Sequence, residues 1–555
     1  MKELNLRTPL ALAVEVCQIK MLMNEQTSSL SKQISKRRTF AIISHPDAGK
    51  TTLTEKLLLY SGKIRTAGMV RGRKGRKQVT SDWMSLEQER GISITASAMQ
   101  FIYKDVVINI LDTPGHEDFS EDTYRTLTAA DCAIMVIDAA KGVEKQTRKL
   151  FETCKLRNIP VLTFINKMDM PGLDPLDLMD EVEQVLGVHS FAYNWPIGSG
   201  KQFCGVYDRI LQQCQLFTRS SAGGSGRVSM SRRALEEQKI IDLVGCAEFE
   251  KLKHDLTLLE EAGNSFNQQD FLCGKVTPVF FASALSNYGI EPFFDTFIHL
   301  APSPYGRLAN SDTGEEIFID PVQTPFSAYV FKIQSNMDRN HRDSMAFLRI
   351  CSGEFEKDMT VKHHRLKRII RLARPQSMFA GERITLNDAV AGDIIGVINP
   401  GVFFIGDTVS ITGGFDFKPL PQFQPEIFAT IFPNDVSKRK SFDKGMKQLA
   451  AEGAVQILYT QDNFDSLIYG AVGKLQFEVI QYRLKDEYQT ESTLSFLPYQ
   501  CSAWIIGDIS TYKKPFNSIL VRDKEDKYMG LFGSVWEKDY AIKENPSLEF
   551  KNLKY

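Results

Sequence analysis

Asn166-Lys167-Met168-Asp169 follows an apolar run, Val161-Leu162-Thr163-Phe164-Ile165. The run reads as a buried parallel strand. A carboxylate at the end of such a strand can accept two hydrogen bonds from the N1–H and N2–H₂ edge of guanine. Adenine has no such donor pair. It would leave the Asp169 carboxylate buried and unpaired, which is how a site of this kind rejects it.

A second group of residues suits phosphate chemistry. Thr39-Phe40-Ala41-Ile42-Ile43 reads as a short strand. Ser44-His45-Pro46-Asp47-Ala48-Gly49-Lys50-Thr51-Thr52 follows, and then a helical pattern with Leu53, Leu57 and Leu58 on one face. Strand, tight loop, Gly-Lys-Thr and helix make a phosphate-loop arrangement. Backbone N–H groups and the helix N-terminus would hold phosphates. Lys50 would reach the β- and γ-phosphates, and the Thr51 hydroxyl would bind Mg2+. Ser44 stands where the usual pattern has its first glycine.

Asp112-Thr113-Pro114-Gly115-His116 ends the strand pattern Val106-Val107-Ile108-Asn109-Ile110-Leu111. Asp112 would act on Mg2+ through water, and the Gly115 N–H would sense the γ-phosphate, as in a nucleotide-state switch. His116 occupies the place of a water-positioning residue, and an imidazole can orient an attacking water. Upstream, in Arg90-Gly91-Ile92-Ser93-Ile94, Ser93 offers a second Mg2+ hydroxyl, with Thr95 as the fallback. Ser283-Ala284-Leu285 follows the strand pattern Thr277-Pro278-Val279-Phe280-Phe281 and would cover the guanine O6 with a backbone N–H. Five such elements in this order, each after a strand, point to GTP or GDP with Mg2+ and to GTP hydrolysis.

The wider pattern resembles the G domain of translational GTPases. His45 through Thr52, Ser81-Asp82-Trp83-Met84, Glu87 through Ile92, and Asp112 through Asp118 are similar to elongation factor G. Lys36 through Pro46, Gly453-Ala454-Val455-Gln456, and Gly470-Ala471-Val472-Gly473-Lys474-Leu475-Gln476-Phe477 resemble the bacterial peptide chain release factor 3 family. The resemblance covers residues 36–555. It implies a multidomain α/β protein. A P-loop GTPase domain, a mostly parallel sheet with helices on both faces, would span 36–303. An antiparallel β-barrel domain would span 304–424, and a small α+β domain 425–555. The chain beyond residue 303 has room for two modest domains, where a translocase-like factor needs about four.

The β-rich runs 326–333 and 346–350, with Gly353, Gly381, Gly392, Gly401 and Gly406 after them, agree with a barrel. Phe442–Ala451 and Leu475–Leu484 read as amphipathic helices of a two-layer α+β domain. Residues 215–235, with Ser-Ser-Ala-Gly-Gly-Ser-Gly at 220–226, read as a polar surface insertion in the G domain. Residues 1–35 read as a disordered extension, with Met21 or Met23 the expected start.

The chain has 555 residues, a net charge of −1, 43% hydrophobic and 24% charged residues, a globular composition. Near neutrality excludes a general polyanion binder, so any ribosome contact must come from local patches. Arg71-Gly72-Arg73-Lys74-Gly75-Arg76-Lys77 is one candidate for ribosomal RNA contact. Lys362-His363-His364-Arg365-Leu366-Lys367-Arg368 has interleaved apolar residues and reads as an exposed strand face. Nine scattered cysteines without C-x-x-C pairs suit reduced thiols in a cytoplasmic protein. Neither a membrane nor DNA is an expected partner.

The resemblance implies GTP hydrolysis stimulated by the 70S ribosome through its RNA, acting in translation termination. It implies that this promotes departure of class I release factors after peptide release. Another ribosomal GTPase, or a guanine-nucleotide timer with negligible hydrolysis, are the competing readings. Intact Lys50, Thr51, Asp112 and His116 argue against the timer.

Overall fold

The computed structural model describes residues 28–64, 87, 93–218, 226–235, 238–261, 263–335, 344–379, 382–420, 422–460 and 467–554. The basic segment 71–77, the motif residues 81–84 and 88–92, and the glycine-rich stretch 219–225 lie outside them.

Seven strands form the first sheet. Their order is Ser97–Tyr103, Val106–Asp112, Arg37–Ser44, Cys132–Asp138, Val161–Asn166, Val276–Phe281 and His189–Ala192. Every pairing is parallel except that of the edge strand Ser97–Tyr103 with its neighbour. Cys132–Asp138 and Val161–Asn166 are buried along their whole length. That burial is why they carry continuous apolar runs rather than alternation. Helices cover both faces. Ile290–Leu300 shows how: Phe293, Phe294 and Phe297 recur at helical spacing and pack on Phe40, Phe164 and Phe280. Lys145–Leu156 and Pro175–Leu186 cover the other face with Leu150, Phe151, Leu178 and Val182.

The insertion is more ordered than its polar composition suggests. Gln213–Thr218 and Ser229–Arg233 are paired antiparallel strands in a four-stranded sheet with Asn194–Ile197 and Gly205–Asp208. Cys214, Leu216 and Phe217 are buried, so the flanks of the glycine-rich stretch are anchored by apolar contacts. The extension at the N-terminus also departs from expectation at its end. Residues 28–35 are helical, and Ile34 lies in the core of the following β region.

That β region is antiparallel, an eight-stranded sheet built on the hairpin Ser327–Ser335 and Ser344–Ser352. Within the basic run 362–368, His363 is fully buried, its Nε2 3.1 Å from Asp407 Oδ2. Arg365 donates to both Asp407 oxygens, from Nε at 2.6 Å and from an NH2 group at 2.8 Å. The run is therefore held by a carboxylate distant in sequence. Arg349 joins this region to the first sheet through Asp131 at 2.6 Å, with both side chains buried.

The C-terminal region forms a second eight-stranded sheet. Its first four strands, Ile427–Pro433, Gln456–Thr460, Leu467–Ala471 and Ser492–Phe496, alternate with helices Arg439–Ala451 and Lys474–Tyr488 in a β-α-β-β-α-β arrangement. Both helices run a few residues beyond the expected spans. Four further strands extend the sheet into a second lobe carrying helix Val535–Glu544.

Candidate functional site

Four of the five sequence elements lie at the carboxyl ends of parallel strands, and Ser93 of the fifth, which precedes the antiparallel edge strand Ser97–Tyr103, meets them at Thr51. Those carboxyl ends are where open α/β sheets place ligands. The loop after Arg37–Ser44 turns into helix Lys50–Tyr60 through two left-handed residues, Asp47 at φ 65° and Gly49 at φ 98°. Glycine is required at 49 twice over. Its φ suits no bulky residue, and a methyl group there would overlap the Asn166 amide. Asn166 Nδ2 in turn donates to Ala48 O at 2.9 Å. Asn166 Oδ1 accepts from the N–H groups of Lys167, at 2.8 Å, and Ala284, at 2.9 Å. One side chain thus ties the phosphate loop to both base-side loops.

On the base side, Lys167 adopts φ 69° and its Nζ reaches Asp138 Oδ2 at 2.7 Å. Asp138 ends the apolar strand Cys132–Asp138, and that position is the sequence signal that could have found it. Met168 is buried in the core, so its contribution to the loop is its backbone. Asp169 Oδ1 is buried without a hydrogen-bond partner. An orphaned acceptor of this kind costs about 1–3 kcal/mol until a donor meets it. Ser283 exchanges backbone hydrogen bonds with Tyr288, and its hydroxyl accepts from the Ser286 N–H at 3.2 Å. Ala284 is buried and Leu285 projects to solvent.

On the phosphate side, Lys50 Nζ donates to Asp112 Oδ1 at 2.7 Å, both side chains buried. Asp112 Oδ2 is a second orphaned oxygen. Thr51 Oγ1 lies 3.4 Å from Ser93 Oγ. Thr95 Oγ1 instead faces Glu87 Oε1 at 3.4 Å, an oxygen that also accepts from the Ile94 and Thr95 N–H groups. The geometry therefore sets Ser93, rather than Thr95, beside Thr51. Asp112 Oδ2 and the Thr51 and Ser93 hydroxyls are oxygen donors of the kind that could hold Mg2+. That ion keeps several waters and shares phosphate oxygens, and needs no all-protein cage.

The remaining residues build the walls. Ser44 is buried and its hydroxyl donates to His45 O at 2.9 Å, so a small side chain fits where glycine is usual. His45 Nε2 lies 3.2 Å from Glu144 Oε1. Thr113 Oγ1 donates to Ile42 O at 2.7 Å, and Pro114 O accepts from Thr123 Oγ1 at 3.1 Å. Gly115 sits against Pro46, where a methyl group would lie 3.4 Å from Cα. His116 follows with a partly exposed ring, and its Nδ1 accepts from the Asp118 N–H at 3.2 Å. Sequence reasoning gives Asp118 no role of its own, although it lies two positions from His116.

Three family profiles match the chain. "Elongation factor Tu GTP binding domain" covers residues 35–303, "Elongation factor G domain 2" covers 325–412, and "Class II release factor RF3, C-terminal domain" covers 417–542. Proteins named peptide chain release factor 3 match nearly end to end. That of Synechocystis sp. is 50% identical over 91% of this chain and 92% of its own. That of Gloeobacter violaceus is 48% identical over 95% and 99%. That of Nostoc punctiforme is 49% identical over 96% and 98%. The chain belongs to the peptide chain release factor 3 family. It is accordingly a translational GTPase with a guanine-nucleotide-binding domain. A crystal structure from Thermus thermophilus shares the fold, with TM-score 0.65 and 19% identity, covering 88% of this chain and 72% of that one. The release factor 3 profile contains the Gly453 and Gly470–Phe477 segments that carried the sequence resemblance. Among the described residues, no helix is long and apolar enough to cross a membrane.

Proposed function

We propose that the cleft binds GTP and GDP with Mg2+ and hydrolyses GTP when the 70S ribosome stimulates it. In this reading the protein, working in the cytoplasm, promotes dissociation of class I release factors after peptide release. The observation that carries the nucleotide assignment is the pair of orphaned carboxylate oxygens, Asp169 Oδ1 and Asp112 Oδ2, at opposite sides of a loop system tied by Asn166. Guanine N1–H and N2–H₂ satisfy the first.

Bound Mg2+ would be held by Thr51 and Ser93 directly and by Asp112 through water, and would neutralise charge on the β- and γ-phosphates. Lys50 leaves Asp112 Oδ1 to share its charge with the phosphates, and backbone N–H groups from Asp47 to Thr52 hold their oxygens. The Ser283–Leu285 loop closes over guanine O6. His116 orients the attacking water, and the Gly115 N–H reads the presence of the γ-phosphate. Stimulation comes from ribosomal RNA. The relatives' name, peptide chain release factor 3, supports the termination role.

The test follows a labelled class I release factor on ribosomes stalled after peptide release. Addition of this protein with GTP is expected to accelerate dissociation over GDP. No acceleration, with ribosome-stimulated hydrolysis intact, would remove the termination role and leave the GTPase.

A further inference from the structure

Asp118 lies outside the nucleotide loops, yet it touches both His116 and the C-terminal region. Its N–H donates to His116 Nδ1, and its Oδ1 lies 3.4 Å from the same nitrogen. Its Oδ2 accepts from the Leu475 N–H at 2.9 Å, across 357 positions of sequence. Leu475 is the second residue of helix Lys474–Tyr488. That helix has no acidic residue in its first turn, and Gly473 before it has no side chain to cap with. Gln476 serves the chain just upstream, accepting from the Val472 N–H at 2.7 Å and the Gly473 N–H at 3.2 Å. The carboxylate at this helix N-terminus therefore comes from the segment that carries the histidine. A negative charge and an N–H acceptor are both stabilising there.

Two independent features fix the contact. A methyl group at Gly473 would overlap the Asp118 carboxylate, so the close approach demands glycine. Phe119, the next residue, packs with Ile94 and Val479 in a small core flanked by Leu475 and Tyr482. One helix of the C-terminal region thus meets the residue after Ser93 and the residues after His116 together.

We propose that Asp118 is a positioning residue for His116. Its Oδ2 clasps the N-terminus of helix Lys474–Tyr488 while its amide N–H holds the imidazole at Nδ1, so the seating of that helix sets the histidine's orientation. The proposal rests on the reading of His116 as the water-orienting residue. With the helix seated, Nδ1 is engaged by protein. With it unseated, the imidazole is free to turn, and hydrolysis without ribosomes rises.

Single-turnover GTP hydrolysis by the full chain, with and without ribosomes, tests this. Asp118→Ala and Gly473→Ala are each expected to raise the ribosome-free kcat at least threefold with the KM for GTP unchanged. The double variant should gain no more than either single, since both break one contact. Asp118→Asn, whose carboxamide oxygen still accepts from the Leu475 N–H, should stay within twofold of wild type. Adding His116→Ala should erase every gain. Ribosome-free rates that are unchanged or lowered in both single variants would overturn the proposal, as would gains that multiply in the double. If His116→Ala alone leaves the ribosome-stimulated rate intact, the reading of His116 falls and the proposal falls with it. If that variant is inactive but the Asp118 and Gly473 variants behave as wild type, only the positioning role is lost.

Discussion

Around the nucleotide cleft, Asp112, Asn166 and Asp169 each stand at or just past the end of a parallel strand, Lys50 opens the helix that follows another, and each is announced by its immediate neighbours in sequence. In the seam between this domain and the C-terminal region, contacts join Asp118 to Leu475 and Gly473, and Arg125 to Gly453. Glu452 joins the C-terminal region to the β region instead, accepting from the Ser335 N–H at 2.8 Å, and pairs within its own region with Arg483 at 2.5 Å. The cleft leaves polar atoms unpaired, Asp112 Oδ2 and Asp169 Oδ1 among them. Beside the seam, Glu452 and Arg483 satisfy each other. A site that takes a ligand holds its donors and acceptors in reserve, whereas the Glu452 carboxylate, beside the seam, spends its oxygens on protein donors.

The difference predicts separable effects. Glu452→Ala strips a partner from Arg483, a buried guanidinium. Burial alone would lower its pKa, but Glu452 and Glu487 outweigh that and hold it well above the ordinary value. The expected loss is about 3–5 kcal/mol of folding stability, read by chemical denaturation, with GDP affinity of the remaining folded protein unchanged. A large fall in GDP affinity would break the distinction. Lys50→Ala leaves the buried Asp112 carboxylate without its ammonium, so some stability is lost there too, but its distinguishing effect is on turnover: ribosome-stimulated hydrolysis falls by about 10²–10³-fold in single-turnover kinetics. Asp169→Ala should weaken GDP binding by about 2–3 kcal/mol, roughly 30–150-fold, by calorimetry. It should also narrow the preference for GDP over ADP.

The smallest effect concerns thiols. Burial pushes Cys154 up to about 12 and Cys132 well above its ordinary value, whereas Cys246 and Cys273 are exposed. Among the described cysteines, those two should be labelled rapidly by a maleimide at neutral pH, and Cys154 and Cys132 only on unfolding. Glu452→Ala should accelerate labelling of the buried pair if the seam limits opening of the first domain.

The same contrast explains what the sequence disclosed. Gly49-Lys50-Thr51, Asp112 through Gly115 and Asn166 through Asp169 are short, because backbone atoms at strand ends do much of the binding and leave a local signature. The parallel sheet is legible for a similar reason, since burial on both faces writes continuous apolar runs. Asp118, Gly453 and Gly473 are not legible as partners. All three lie in segments that carry the family resemblance, but the close approaches that require them join distant parts of the chain. Ile34 and the strands flanking residues 219–225 escape sequence reading because isolated apolar residues in polar surroundings carry no periodicity. Asp407 beside His363 is invisible to spacing, since tertiary contact alone brings it there.

The most direct test of the account is single-turnover GTP hydrolysis by wild type and His116→Ala, with and without purified 70S ribosomes, at matched GTP affinity. The account expects strong ribosomal stimulation of wild type and its near-complete loss in the variant. Equal stimulated rates in the two proteins would contradict it.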